Sequence, residues 1–319
     1  MSSPAKYIWQ NGELVPHEHA TVHVLTHALH YGSSVFEGIR AYGTPDGAQF
    51  FRLEEHMRRL FFSAKVYRID IPFTLEESLQ ACHDVLAANE LTDGAYIRPI
   101  AFRGNSGFGV VPAPDAPVEF VVAAQEWGAY LGADGLEKGV DVCVSSWNRA
   151  APNTLPAGAK AGGNYLSSQL ISMEAKRLGF TEGIGLTVDG LVSEGAGENL
   201  FLVLNGTLYT PDISSSILGG ITRGTIIELA KENGIEMVQQ SIPREMLYAA
   251  DEVFMTGTAA EVTPVRSIDR IKVGEGRRGP ITEQMQNAFF GLFNGQTKDQ
   301  WGWLTPVNFA PPTARIVAG

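Results

Sequence analysis

The stretch that decides the fold is SEGAGENLF, residues 193–201, a glycine-rich turn that carries Glu194 and Glu198 between apolar segments. Before it, an apolar run ends in the dipeptide Asp189-Gly190, and after it another ends in Asn205-Gly206. Asp-Gly and Asn-Gly flanked by strand-forming residues are strong hairpin signals. The second half of the chain is therefore predicted to contain two β-hairpins on either side of this acidic turn.

The rest of the chain alternates between predicted helices and strands. An apolar stripe predicts a helix over residues 51–69, and Thr74 with Glu77 forms a capping box at the start of the next helix. Pro99 predicts that its strand lies at an edge or carries a bulge. The other predicted elements are helices at 165–178, 222–233 (capped by Thr222) and 281–292 and strands at 7–9, 96–102, 118–123 and 140–144.

Length and composition limit the classes of protein that fit. The 319 residues predict about two domains, placed at 1–127 and 138–319 with a connection at 128–137. A net charge of −11 argues against a nucleic-acid or anionic-membrane surface. Two cysteines are too few for a disulfide framework, and the lack of a long apolar run or signal peptide predicts a soluble, cytoplasmic protein. The proline-containing tail after Thr305 is expected to be loosely ordered.

Histidines are confined to the first part of the chain. All seven lie between His17 and His83, so a histidine-based triad is excluded from the second half. His23, His27 and His30 have a spacing that could ligate a metal from one helical face. No acidic residue or cysteine accompanies them at matching spacing. Packing and local hydrogen bonding are the favoured interpretation, and we predict no metal site.

Lys160 lies among small residues in PAGAKAGGN, residues 156–164. An apolar setting disfavours the ammonium form and makes the amine available to attack an aldehyde, although spacing alone favours a surface lysine. Downstream, Glu194 could hold a ring nitrogen protonated. Residues 217–224 and 254–260 could each present backbone N–H groups to a phosphate. Together these features predict a pyridoxal phosphate site.

Three segments match, in order, the class signature of one enzyme family: E-x-A-x-x-N-L-F at 194–201, L-x-T at 208–210 and L-x-G-I-x-R at 218–223. The chain resembles the fold type IV pyridoxal-phosphate aminotransferases, most closely the branched-chain amino acid aminotransferases, from residue 7 to about 304. The resemblance implies an α/β (α+β) fold with a smaller N-terminal α/β domain, a larger barrel-like C-terminal α/β domain and the cofactor between them.

The resemblance implies a role for each matching position. Lys160 would form the Schiff base with pyridoxal 5′-phosphate and move the proton between the substrate Cα and C4′. Glu194 would pair with the ring nitrogen, and Tyr165 would hydrogen-bond the ring oxygen. By helical spacing alone Arg59 would face solvent, whereas the resemblance places it at the phosphate. The other implied cofactor-binding residues are Gly197, Leu218, Ile221, Thr222 and Thr258.

The implied reaction is transamination between branched-chain L-amino acids (leucine, isoleucine, valine) and 2-oxoglutarate or glutamate. Arg98 would take the distal carboxylate of glutamate. The implied substrate-binding residues are Tyr31, Phe36, Tyr96, Arg98, Trp127, Tyr130 and Ala259. The resemblance also implies a homodimer or an assembly of dimers, in which Tyr31 and the loop at 104–111 complete the neighbouring site.

Two kinds of alternative stay open at the level of sequence. One is another activity of the same fold: transamination of D-amino acids, transamination of R-amines, or aminodeoxychorismate cleavage. The other is a metal-binding protein that uses the histidine cluster at residues 17–30.

Overall fold

The computed structural model describes residues 5–127 and 133–317. The helices are α1 (His27–Tyr31), α2 (Leu53–Val66), α3 (Leu75–Ala88), α4 (Ala133–Lys138), α5 (Tyr165–Arg177), α6 (Ile221–Glu232), α7 (Met246–Ala249) and α8 (Pro280–Asn294). The strands are β1 (Tyr7–Gln10), β2 (Glu13–Pro16), β3 (Ser34–Phe36), β4 (Ile39–Thr44), β5 (Gly47–Phe51), β6 (Ala95–Arg103), β7 (Val118–Gln125), β8 (Val140–Val144), β9 (Glu182–Leu186), β10 (Val192–Gly195), β11 (Asn199–Leu204), β12 (Thr207–Pro211), β13 (Met237–Gln240), β14 (Glu252–Gly257), β15 (Glu261–Ile268), β16 (Ile271–Lys272), β17 (Leu304–Pro306) and β18 (Arg315–Ile316).

The chain forms two compact units, each built on its own sheet. The first contains residues 5–127, Ala159–Gly163 and residues 299–317. Among its described residues the strand order is β17-β5-β4-β6-β7-β1-β2-β18, and β3 pairs with β6 beside β4. Helices α2 and α3 contribute Met57, Leu60 and Leu86 to the buried core of this unit. The predicted apolar stripe is confirmed, over a helix shorter than the 51–69 expected.

The start of α3 shows why its sequence predicts it well. The hydroxyl of Thr74 accepts from the Glu77 N–H at 3.2 Å, and the Glu77 carboxylate accepts from the Thr74 N–H at 2.7 Å. The predicted capping box is therefore confirmed. Each group satisfies a backbone donor that the first helical turn leaves without an intrahelical partner.

Pro99 does not lie in an edge strand, because β6 pairs with β7 on one side and with β3 and β4 on the other. It lies opposite the interruption between β3 and β4, where the Pro99 carbonyl accepts from the Glu37 N–H at 2.8 Å. The N and O of a strand residue point to the same side, so the missing N–H of proline faces this interruption and breaks no ladder bond. The edge alternative is wrong, and the irregularity has a structural role described below.

The second unit contains residues 133–158 and 164–298 of the described chain. Its strand order is β10-β9-β8-β15-β14-β11-β12-β13, with β16 beside β15. The two predicted hairpins are confirmed: β9 pairs with β10, and β11 pairs with β12 through Asn205-Gly206. Positive φ angles of 52° and 81° at this dipeptide match the turn that its sequence favours.

Two details differ from the predictions. Helix α6 begins at Ile221 with Gly220 as its N-cap, so Thr222 lies in the first turn and does not cap the helix. The tail is not loosely ordered, because β17 pairs with β5, β18 pairs with β2, and Asp84 accepts from Thr313 and Ala314 N–H groups at 3.0 and 2.9 Å.

Two segments belong to the first unit, although the predicted domain bounds place them in the C-terminal domain. Residues 299–317 pack with the first unit through β17 and β18, and Ala159–Gly163 joins the same unit through a bridge between Ala161 and Val35. Within 128–137, residues 133–137 fall in α4 and 128–132 lie outside the described residues. Over the described chain, no helix is both long enough and apolar enough to cross a membrane.

Candidate active site

Lys160 is fixed at its backbone by neighbours within the first unit. Its N–H donates to Ser63 Oγ at 2.9 Å, and its carbonyl accepts from the Phe36 N–H at 3.0 Å. Its Nζ lies 5.0 Å from the centroid of the Phe36 ring, and the side chain is half-buried. The amine therefore lies over an aromatic face.

A buried charged cluster, formed by Glu37, His56 and Arg59, lies in the same unit. The Glu37 side chain is 0% exposed, and its two oxygens accept from Arg59 Nε at 2.7 Å and Arg59 Nη2 at 2.8 Å. His56 Nδ1 lies 2.7 Å from the second of these oxygens. The Arg59 side chain is only 14% exposed. The solvent-facing position that helical spacing predicts for Arg59 is therefore wrong, because the interruption between β3 and β4 brings Glu37 against this face of α2.

The pKa values in this cluster shift in the directions that its geometry implies. Burial raises the pKa of Glu37, but the charge of Arg59 and the hydrogen bonds from Arg59 and His56 outweigh burial and hold it below its ordinary value. Burial lowers the pKa of His56, the Arg59 and Lys160 charges lower it further, and Glu37 opposes the change without reversing it. At neutral pH the cluster is an ion pair with a neutral imidazole.

Four of the predicted substrate-binding residues lie close together. The Arg98 guanidinium carbon is 4.8 Å from the Phe36 ring centroid and 5.4 Å from that of Tyr96, and Arg98 Nη2 donates to Tyr96 Oη at 3.2 Å. The rings of Tyr96 and Trp127 are 4.9 Å apart. A cavity of about 320 Å³ is lined in part by Tyr96, Arg98 and Trp127. This arrangement joins aromatic walls to one cation.

Gly38 leaves the space that the Tyr96 phenol occupies beside it. A Cβ at position 38 would lie 1.9 Å from Tyr96 Oη, so any side chain there would displace the phenol.

Tyr31, another predicted substrate-binding residue, contacts the loop at residues 104–111. It belongs to α1, and its Oη accepts from the Gly109 N–H at 3.2 Å. Tyr130 lies outside the described residues.

In the second unit, Glu194 is the acceptor for three donors. Arg149 Nη2 donates to Glu194 Oε1 at 2.6 Å, while Asn199 Nδ2 and the Leu218 N–H each donate to Oε2 at 3.0 Å. The side chain is 6% exposed. Arg149 also donates to Ser168 Oγ at 2.8 Å and so ties the carboxylate to α5, the helix that begins at Tyr165.

The start of α6 lies next to this carboxylate through Asn199. Asn199 Nδ2 donates to the Leu218 carbonyl at 2.9 Å, and a Cβ at Gly220 would lie 1.9 Å from Asn199 Oδ1. Gly220 is the N-cap of α6 and makes no side-chain capping hydrogen bond within the described chain. The positive end of the helix dipole at this position attracts an anion.

The remaining predicted positions are also in the second unit. Gly197 lies between β10 and β11, where its N–H donates to Glu198 Oε2 at 3.0 Å. Thr258 and Ala259 follow β14 directly and are half-buried. Thr256, in the same strand, is buried, and its hydroxyl has no hydrogen-bond partner among the described residues. A bound ligand would satisfy a buried polar atom of this kind.

Sequence reasoning assigned no role to Glu37, His56, Arg149 or Asn199. Asn199 lies in the first of the three signature segments, whereas Glu37, His56 and Arg149 lie outside them. The available signal was their residue type, since carboxylate, imidazole and guanidinium groups are seldom buried without a partner. Their partners are distant in sequence, so spacing could not identify them.

Two histidines of the cluster at 17–30, His27 and His30, have hydrogen-bond partners in their own part of the chain. His27 contacts Ser33 Oγ at 2.7 Å and the Gly109 carbonyl at 3.1 Å, and His30 contacts the Val24 carbonyl at 2.9 Å. Among residues 5–127 and 133–317, no group of three or more His, Cys, Asp or Glu side chains is placed to hold a metal ion. Local hydrogen bonds are thus the contacts that the structure shows for His27 and His30.

Comparison with known proteins agrees with these features. The family profile described as "Amino-transferase class IV" matches residues 34–268. The branched-chain-amino-acid aminotransferase of Salmonella typhimurium is 60% identical over 304 residues, which cover 95% of this chain and 98% of that protein.

Two solved structures are also closely similar. The structure of the branched-chain amino acid aminotransferase of Escherichia coli has a TM-score of 0.94 at 60% identity and covers 95% of this chain and 100% of its own. That of the T.th. enzyme, complexed with N-(5′-phosphopyridoxyl)-L-glutamate, has a TM-score of 0.91 at 48% identity and covers 95% and 99%. The resemblance and the fold class inferred from the sequence are confirmed, and the chain belongs to the class IV amino-transferase family.

Proposed function

We propose that this chain is a branched-chain amino acid aminotransferase, which transfers the amino group between leucine, isoleucine or valine and 2-oxoglutarate with pyridoxal 5′-phosphate as cofactor. The observation that carries the proposal is the pair of prepared functional groups: Lys160 held on the face of Phe36, and Glu194 held by three donors. The names of the relatives support the substrate class. The phosphopyridoxyl-glutamate in the structure of the T.th. enzyme supports both the cofactor and the amino donor.

The residues present fit the cofactor. When bound, pyridoxal phosphate supplies an electron sink that stabilises negative charge at the substrate Cα. Lys160 would hold the aldehyde carbon and then carry the proton at Cα. Glu194 would keep the ring nitrogen protonated, and Tyr165 would donate to the ring oxygen. The remaining proposed contacts are Arg59, Ile221, Thr222 and Thr258 for the phosphate and Gly197 and Leu218 for the ring.

The cluster around Arg98 suits two substrates of different polarity. Phe36, Tyr96 and Trp127 offer aromatic surface to a branched aliphatic side chain. The Arg98 guanidinium offers a charge-assisted hydrogen bond to the distal carboxylate of glutamate. The backbone beside Ala259 would take the α-carboxylate that both substrates share. One pocket would therefore accept an apolar and an acidic side chain in alternate half-reactions.

The experiment that tests the proposal is spectroscopic and kinetic. Protein loaded with pyridoxal phosphate should show a visible absorbance band that bleaches on addition of L-leucine. With 2-oxoglutarate as acceptor, it should turn over L-leucine faster than D-alanine or an R-amine. Lys160→Ala should abolish both signals, while Lys65→Ala, at an exposed lysine on α2, should preserve them. Absence of L-leucine turnover, or unchanged activity in Lys160→Ala, would contradict the proposal.

We also propose that the chain works as a homodimer. Several apolar side chains are exposed on α1 and in the loop at residues 104–111. They are Leu29, Tyr31, Phe108 (82% exposed), Val110 and Val111 (84% exposed). The Gly109 contacts with His27 and Tyr31 hold this loop against α1. A contiguous cluster of exposed apolar side chains is typical of a protein–protein interface. Light scattering should report a dimer that Phe108→Asp with Val111→Asp converts to monomer, and a monomeric parent protein would refute the assignment.

A further inference from the structure

We infer that Glu37, supported by His56, is a positioning residue that orients Arg59 toward the phosphate of the cofactor. The inference rests on the proposed function, because it takes pyridoxal phosphate as the ligand of Arg59. It goes beyond the proposal because it assigns a binding role to a carboxylate that itself would not touch the cofactor.

The backbone fixes Glu37 before its side chain makes any contact. Glu37 lies directly after β3, in the interruption between β3 and β4, where its N–H donates to the Pro99 carbonyl at 2.8 Å. Because Pro99 has no N–H to donate back, the strand is not paired regularly at this point. The interruption lets the Glu37 side chain reach α2.

The ion pair fixes the plane of the guanidinium. Glu37 engages Arg59 Nε and Nη2, so it occupies the side edge of the guanidinium. The end edge, formed by Nη1 and the second N–H of Nη2, faces away from the carboxylate. A two-point contact of this kind leaves an arginine one orientation, which a single hydrogen bond or a lysine would not do.

His56 keeps the carboxylate itself in place. His56 Nδ1 lies 2.7 Å from Glu37 Oε2, and the Gly38 N–H lies 3.3 Å from the same oxygen. Since the carboxylate accepts, the imidazole carries its proton on Nδ1 and donates it. Glu37, whose side chain is fully buried, therefore has partners at both oxygens, as the burial of a charge requires.

Helix α2 connects this cluster to the proposed reactive lysine. His56, Arg59 and Ser63 follow one another at intervals of three and four residues, so they share one face of the helix. Ser63 accepts from the Lys160 backbone at 2.9 Å. One helical face thus holds the lysine segment and the arginine, and Glu37 sets the direction of the arginine.

The test uses apoprotein and two probes that differ only by the phosphate. Dissociation constants are measured by absorbance or fluorescence titration with pyridoxal phosphate and with pyridoxal. Glu37→Gln should raise the dissociation constant of pyridoxal phosphate about tenfold, because it removes the charge-assisted two-point contact with Arg59. It should raise the dissociation constant of pyridoxal less than about twofold. In an Arg59→Ala background, Glu37→Gln should add less than about twofold, because the two residues act as one unit.

Two further variants separate positioning from general stability. Glu55→Gln alters a neighbouring carboxylate on α2 that pairs with Arg52 instead, and it should leave both dissociation constants unchanged. His56→Ala should weaken pyridoxal phosphate selectively, and His56→Asn, which retains a donor near the Nδ1 position, should restore most of the affinity. If Glu37→Gln does not fold, the comparison of His56→Ala with His56→Asn tests the inference.

The outcomes distinguish this inference from the proposed function. If the parent apoprotein does not bind pyridoxal phosphate, the proposed function fails. If the parent binds it and Glu37→Gln binds it equally well, or loses pyridoxal to the same extent, Glu37 has no positioning role. Additive effects of Glu37→Gln and Arg59→Ala would overturn the inference in the same way.

Discussion

Arg98 shows how one side chain can serve two kinds of substrate. Its guanidinium lies against the rings of Phe36 and Tyr96 and donates to the Tyr96 hydroxyl. Stacking between aromatic rings holds the charge without neutralising it, so a carboxylate can still be recognised. Leucine needs only the aromatic surface of the same cluster. The residue scale therefore predicts a substrate-dependent effect of removing this charge.

Arg98→Ala should raise the KM for 2-oxoglutarate about tenfold or more, because a hydrogen bond to a charged group is lost. The KM for leucine should rise less than about threefold. Steady-state kinetics with each substrate varied separately measures the difference. Arg98→Lys, which keeps the charge and loses the planar fork, should give an intermediate value for 2-oxoglutarate. An equal rise for both substrates would show that Arg98 shapes the pocket without recognising the carboxylate.

At the scale of elements, what could be predicted depended on whether the signal was local. Helices α2 and α3 follow from apolar spacing and, for α3, from a capping box, all within a few residues of sequence. The tail strands do not, because Leu304 pairs with Phe51 and Ile316 with Leu14, hundreds of residues away.

The same limit applies to the candidate site. Lys160 and Glu194 became candidates through their sequence neighbours taken together with the family resemblance. The partners of Arg59 and Glu194 depend on strand pairings that only the folded chain shows.

Strand β9 provides a prediction about pH. Its first residue, Glu182, is buried, and burial raises its pKa. The Gly183 hydrogen bond, the Lys176 charge and the Ser172 hydrogen bond only partly oppose this rise. A carboxyl whose folded-state pKa exceeds its ordinary value of 4.5 stabilises the fold fully below pH 4.5 and loses that contribution as pH rises through the raised pKa.

Glu182→Gln removes the ionisable carboxyl, so the loss of stability at high pH should disappear. The glutamine side chain keeps an oxygen that can accept from the Gly183 N–H. The Tm of the variant should equal that of the parent near pH 4 and exceed it near pH 8 by on the order of 2 °C. Thermal denaturation across this pH range measures the difference. A constant difference at all pH values would mean that ionisation of Glu182 is not its source.

At the scale of the whole molecule, the C-terminal segment is part of the first unit. Its strands form the two ends of the strand order, and between them Asp84 accepts from Thr313 and Ala314 at the surface of α3. Asp84 is 2% exposed and accepts a fourth hydrogen bond from Gln80. A carboxylate with this many donors holds the segment in place.

Asp84→Ala should lower the free energy of unfolding by about 2 kcal/mol, because it removes the four hydrogen bonds that this buried carboxylate accepts. It should also expose the segment after Val307 to protease. Denaturant melts and limited proteolysis measure the two effects. Glu76→Ala, at an exposed carboxylate in the first turn of α3, serves as the matched control. Unchanged protease resistance would show that β18 holds the segment without Asp84.

The position of the tail strands has a consequence for synthesis on the ribosome. The first sheet begins with Tyr7, yet its outer strands β17 and β18 come from residues 304–316. Strands β5 and β2 must therefore wait with unpaired edges until residues 304–316 have been synthesised and have left the exit tunnel. Exposed strand edges invite pairing with other nascent chains, so the first sheet is prone to aggregation until these residues emerge.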